Sequence, residues 1–142
     1  MDRDEVARVP RPVEEPTEKL FHALEESGVL PEGISVSEAT SAVLCNLLMR
    51  VSGGEARDFV TTAPPTLRAL LGACMRHRGE RPETCDRAEF LRRVANQRGI
   101  GTNAASRLSR AVFSAARALL PPGEATHIEN QLPRDLLELW RG

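Results

Sequence analysis

The chain of 142 residues has no tyrosine, a single tryptophan at Trp140 and four phenylalanines. That scarcity removes the aromatic platform on which single-stranded nucleic acids stack their bases. Lysine is nearly absent as well, since Lys19 stands alone against eighteen arginines. No run of about 18 apolar residues occurs, which excludes a hydrophobic membrane-spanning helix, and the N-terminus lacks the basic, apolar and small-residue blocks of a secretory signal. These absences point to a cytoplasmic protein with no membrane partner. Three cysteines, Cys45, Cys74 and Cys85, are too few for a disulfide scaffold and are read as reduced thiols.

What is present is ordinary for a globular protein: 41% hydrophobic and 27% charged residues, enough chain to bury a core without a metal or disulfides. The net charge of -1 hides an uneven distribution. Residues 1 to 67 hold 12 acids and 6 bases, residues 68 to 117 hold 4 and 11, and residues 118 to 142 hold 4 and 2. The middle is therefore an arginine belt.

Residues 1 to 16 mix charges with prolines and have few apolar positions, so they are expected to form a disordered tail. Order begins where Thr17 can cap a helix carrying Leu20, Phe21 and Leu24, ended by Ser27-Gly28. Ser35 and Glu38 have capping-box spacing ahead of Val36, Ala39, Val43, Leu44, Leu47 and Val51, which step by three and four. Ser52-Gly53-Gly54 ends that helix. Glu55 heads a short third helix with Ala56, Phe59 and Val60 inward, and Pro65, after Pro64, opens a fourth through Leu67, Leu70, Leu71, Cys74 and Met75 to His77. A polar connector follows, and the pattern restarts. Asp86 with Glu89 precedes Phe90, Leu91 and Val94, and Thr102 can cap the helix bearing Leu108 and Val112. Glu124 follows Pro121-Pro122, and Pro133 opens the last helix through Leu136 and Trp140.

The two halves superimpose at a constant offset of 69: Phe21 on Phe90, Val43 on Val112, Gly54-Glu55-Ala56 on Gly123-Glu124-Ala125, and Pro64 on Pro133. Gly54, Glu55, Pro64, Gly123, Glu124 and Pro133 thus define the repeat. Matching positions are face residues, turn glycines and helix-opening prolines, so the duplicated feature is a packing scheme. The expected fold is all-α, a single domain over residues 17 to 142. It is a pseudo-twofold bundle of about eight helices built from two four-helix repeats, 17 to 77 and 86 to 142, joined by a short connector.

Ala42-Val43-Leu44, the two Gly-Glu-Ala turns and Gln131-Leu132-Pro133 resemble the elements of domain-of-unknown-function family 2267 over roughly residues 18 to 140. In the first copy Thr62-Ala63-Pro64 departs from the Gln-Leu-Pro element, and in the second Phe113 replaces the leucine of Ala-Val-Leu. The resemblance implies an all-helical bacterial protein and brings no activity or catalytic residue with it.

Chemical candidates are few. Cys74, His77 and Cys85 could share a zinc ion, with His22 or Cys45 as a further ligand, but no second close pair accompanies them; the plainer reading puts Cys74 on an apolar stripe. No metal and no cofactor are therefore assigned. Glu55 and Glu124 could meet across the pseudo-twofold axis as a carboxylate pair, yet a first-turn role toward the helix dipole explains both more simply. The Ser-Gly-Gly-Glu-Ala turn lacks the strand and motif of a phosphate-binding loop. Arg76, Arg78, Arg81, Arg92 and Arg93 form the candidate basic patch, interrupted by Glu80, Glu83, Asp86 and Glu89. The sequence reading is a non-enzymatic helical module for protein-protein interaction or regulation, self-association included. A nucleic-acid-associated regulator using the arginine belt is the alternative.

Overall fold

The computed structural model describes residues 16–79 and 81–142, and among them every regular element is a helix. In chain order these are α1 (Pro16–Ser27), α2 (Val36–Arg50), α3 (Gly53–Thr62), α4 (Pro65–His77), α5 (Arg87–Arg98), α6 (Thr102–Leu119), α7 (Pro122–Gln131) and α8 (Arg134–Arg141). The expected tail lies outside the described residues except for Pro16, which opens α1.

Local chemistry sets most of the boundaries. At the head of α2 the Ser35 hydroxyl accepts from Glu38 N–H at 3.1 Å, and Glu38 Oε1 accepts from Ser35 N–H at 3.0 Å. At α5 only half of such a box forms. Asp86 Oδ1 accepts from Glu89 N–H at 2.8 Å, while the Glu89 carboxylate turns to Arg92 and Arg93. Gly28 and Gly99 follow α1 and α5 with φ of 75° and 68°, the left-handed region that only glycine enters without strain.

Two expected caps are displaced. Gly101 is the N-cap of α6, so Thr102 is already helical and its side chain caps nothing. Thr17 likewise lies inside α1, because Pro16 supplies a preset first helical position. Its hydroxyl is fully buried and accepts from Leu67 N–H, in the first turn of α4, at 3.2 Å. Pro64, the N-cap of α4, offers no side-chain acceptor, so a residue fifty positions earlier satisfies one of the orphan donors of that helix. In the second half the equivalent donor, Leu136 N–H, is met by Asp135 Oδ1 at 2.9 Å.

The arrangement of helices follows the repeat. α3 and α7 span positions 69 apart at both ends, and α2 and α6 end 69 apart. Across the halves α1 packs on α6 and α2 on α5, while α2 meets α6 and α3 meets α7. Reciprocal contacts of this kind, with like elements meeting like, are what a twofold relation produces. The core is continuous through both halves, from Leu20, Leu24, Leu44 and Phe59 to Leu108, Val112 and Leu139. Phe113 sits between Phe90 (5.7 Å between ring centroids) and Trp140 (5.3 Å). Buried Asn46 crosses the junction, its amide donating to Gln97 Oε1 at 2.9 Å and to Ala42 O at 2.7 Å.

Thr17→Val keeps the shape of that side chain and strands the Leu67 N–H in the core. It is expected to lower stability by about 1–3 kcal/mol, the cost of an unsatisfied buried donor. Chemical denaturation checks this, with Thr102→Val as the exposed control that leaves the midpoint unchanged.

A candidate carboxyl centre between the two repeats

Each repeat places a glutamate at the third position of its short helix. In α3 the N-cap is Ser52, whose hydroxyl accepts from Glu55 N–H at 3.2 Å. In α7 Pro121 is the N-cap and Pro122 the first helical residue, which puts Glu124 at the same place. The first-turn position is as the sequence suggested, but the side chains do not act as caps. Glu38, at the equivalent position of α2, reaches back to its N-cap, whereas Glu55 and Glu124 turn inward and are only 7% and 8% exposed.

Their destination is each other. α3 packs against α7, and the two carboxyl groups come within reach of a shared hydrogen bond. The carboxylate pair, the less favoured reading of these residues, is the arrangement the structure brings about. Ser52 N–H donates to Gln131 Oε1 at 2.7 Å, which ties the start of α3 to the end of α7 beside the pair.

Both Glu55 Oε2 and Glu124 Oε2 are closed from solvent with no hydrogen-bond partner, and neither residue has an arginine or lysine ion pair among the described residues. Burial first, then the neighbouring Glu124 and Asp58 charges, push the Glu55 carboxyl up to about 8. Two helix N-termini point at this spot, and each carries roughly half a positive charge. They offset about one of the two negative charges. The remainder explains why a proton stays on the pair at neutral pH.

His127, one turn after Glu124 and on the same face of α7, stands at the rim and is exposed. One ligand atom each from Glu55, Glu124 and His127 lies within 4.8 Å of the others. The residue of α3 equivalent to His127 at the offset of 69 is Asp58, exposed and near enough to act on Glu55. Taken alone, His127 is an ordinary exposed helical histidine. Its register with Asp58, each three residues after a paired glutamate, was the signal that could have singled it out.

The other candidates are dispersed. Cys45 and Cys74 face each other between α2 and α4, their Cα atoms 5.7 Å apart, a separation that a disulfide can bridge. Adjacent helices bring the two together although 29 residues separate them. Cys85 is buried, with burial pushing its thiol up, and the His77 side chain lies outside the described residues.

The arginine belt is largely engaged within the fold. Arg92 pairs with Glu89 at 2.8 Å, Arg93 with Glu83 at 2.6 Å, and Arg98 reaches Glu38 of α2 at 3.5 Å. Arg78 donates to Leu48 O and, at 2.7 Å, to Gly79 O. Of the five patch residues, Arg76, Arg81 and Arg92 stand exposed.

Fold and site together define a class: an all-helical two-half bundle with a buried carboxyl pair at the joint of its halves. The chain belongs to the family described as "Uncharacterized conserved protein (DUF2267)", which matches residues 17–139. Comparison with curated proteins gave no match. Among the described residues no helix is long and apolar enough to cross a membrane.

The pair makes stability depend on pH in metal-free protein. Folded chains hold the Glu55 proton up to about pH 8, while an unfolded glutamate releases it near 4.5, so between those values the folded state binds more protons. Stability therefore falls as pH rises across that window. Glu55→Gln removes the titrating group and is expected to flatten the profile. Above pH 8 it should raise Tm relative to wild type by on the order of 5 °C. Thermal unfolding of both proteins at a series of pH values checks the sign.

Proposed function

We propose that this chain is a non-enzymatic regulatory module that recognises a protein partner. The observation behind this reading is a solvent-open cleft of about 350 Å³ between α3 and α4. Val60 and Met75 supply an apolar floor, and Arg57 and Arg78 stand along its edge with Thr61 and Gly79. An apolar floor beside guanidinium groups suits a short amphipathic segment bearing carboxylates, whose apolar residues fill the cleft while its acids meet the arginines.

The buried state of the carboxyl pair supports the non-enzymatic part. Catalysis by such a pair requires a substrate atom within hydrogen-bond reach of it, and the two unpartnered oxygens are closed from solvent. The ion pairs of Arg92 and Arg93 weigh against the alternative of a nucleic-acid regulator, because a paired guanidinium releases fewer counterions from phosphates. We place the module in the cytoplasm. The Cys45–Cys74 disulfide then forms only under oxidation, and thiol counting on chains trapped from living cells should find all three cysteines free.

Affinity capture from a native lysate tests the partner reading. A protein retained by the wild type should be lost, by at least tenfold, from a variant carrying Arg57→Glu and Thr61→Glu, two exposed changes that leave the core untouched. Equal retention by both proteins would remove the cleft from the proposal. Salt-dependent retention of DNA or RNA instead would favour the alternative. Turnover of a small substrate that Glu55→Gln or Glu124→Gln abolishes would overturn the non-enzymatic reading.

A further inference from the structure

We propose that Glu55, Glu124 and His127 form a binding site for one first-row divalent transition ion, with Zn²⁺ as the type, held between α3 and α7. The geometry is close to assembled. Ligands that bind such an ion tetrahedrally at about 2.0–2.2 Å lie about 3.3–3.6 Å from one another, and the three ligand atoms here fall within 4.8 Å without any ion to draw them in. Closing the set takes a movement of roughly an ångström, which the exposed imidazole is the freest to make.

A second observation points to the same ligand. Glu55 Oε2 and Glu124 Oε2 are shut off from water, unpartnered, and directed at one another from residues that are 7% and 8% exposed. Buried polar atoms in proteins are satisfied as a rule, and buried carboxylates are paired or coordinate metals. A single shared proton would join one oxygen of each carboxyl in one hydrogen bond, whereas a cation would hold both carboxylates and recruit His127 as well.

Charge bookkeeping agrees. The two glutamates with nearby Asp58 carry three negative charges when ionised, and the converging N-termini of α3 and α7 offset roughly one. About two remain, which is the charge of one divalent ion.

The donor set selects the kind of ion. Glu124 and His127 share one face of α7, at the three-residue spacing by which helices present a carboxylate and an imidazole to one metal, and Glu55 faces them from α3. Imidazole with carboxylates and no thiolate suits Zn²⁺ or its first-row neighbours, whereas Mg²⁺ and Ca²⁺ take oxygen ligands, Mg²⁺ holding on to much of its water. His127, exposed at the rim, is the ligand by which an ion would reach the buried carboxylates. An ion held this way joins the two repeats at the point where like elements meet, so it adds to the stability of the folded chain.

The test uses the full-length chain stripped with a chelator. Titration calorimetry with ZnCl₂ is expected to show one equivalent per chain, and saturating Zn²⁺ to raise Tm, while MgCl₂ does neither. Glu55→Gln and Glu124→Gln should each weaken Zn²⁺ by at least a hundredfold. His127→Gln, an exposed change that leaves the fold intact, should weaken it about tenfold. X-ray absorption at the zinc edge should show nitrogen and oxygen neighbours only. Failure to bind, binding unaltered by His127→Gln, or sulfur in the first shell, which would place the ion at Cys85, each overturns the proposal. Should either glutamate variant fail to fold, His127→Gln and the absorption spectrum decide the matter alone.

Discussion

The fold depends on the mutual burial of two apolar faces that neither half can shield by itself. A four-helix unit of about 60 residues sits at the lower edge of what a single hydrophobic core can stabilise. Alone, each half would leave the α2 and α6 stripes, with Leu44, Leu47, Leu108 and Val112, facing water. Packing α1 on α6 and α2 on α5 covers both at once, and the reciprocity lets one sequence pattern serve twice. The same constraint dictates what happens at the centre. Wherever like elements meet, a residue retained in both copies faces its own equivalent.

For apolar residues that rule is harmless, and for a charge it is not. Most polar links across the junction avoid the difficulty by breaking the repeat. Asn46 and Gln97 bond across α2 and α5, while the positions 69 away from them are Ala115 and Gly28. Within the halves the equivalent N–H groups of Leu67 and Leu136 are also met differently, by Thr17 in one and by Asp135 in the other. Glu55 and Glu124 are the exception: the same ionisable residue is kept in both copies, at a place where the two must meet, and the helix N-termini around them offset only part of the repulsion.

The parts of this arrangement that sequence could reveal are those written in local chemistry. Ser35 with Glu38, Ser52, Pro65, Gly28 and Pro121-Pro122 mark helix ends by their own hydrogen bonds or fixed φ, and those ends fall within a residue or so of the structure. Thr17 was misread because a threonine at a helix start is an ordinary cap; its actual acceptor role toward Leu67 depends on how α4 docks. The Cys45–Cys74 juxtaposition was illegible for the same reason, since a separation of 29 residues carries no geometric information until two helices are laid side by side. The carboxyl pair was half legible. The repeat register placed Glu55 opposite Glu124, but a first-turn glutamate has a common explanation in the helix dipole, and only burial reveals that the side chains turn inward to each other.

The arginines and the glutamates of this protein answer opposite questions. Eighteen arginines against one lysine look like a binding surface, yet many act as internal ties suited to the planar guanidinium. Arg50 donates to Cys85 O at 3.1 Å, Arg68 to Ala63 O at 3.0 Å, and Arg78 to Leu48 O, each reaching a backbone carbonyl at a helix end or in the loop beside one. Removing such an arginine would expose an unmet acceptor, so structure alone accounts for it. No comparable argument accounts for Glu55 and Glu124. Two well-packed apolar side chains in their place would give a more stable joint, as replacing buried charged groups often does. That cost, carried in both copies, is what the proposed divalent ion would offset.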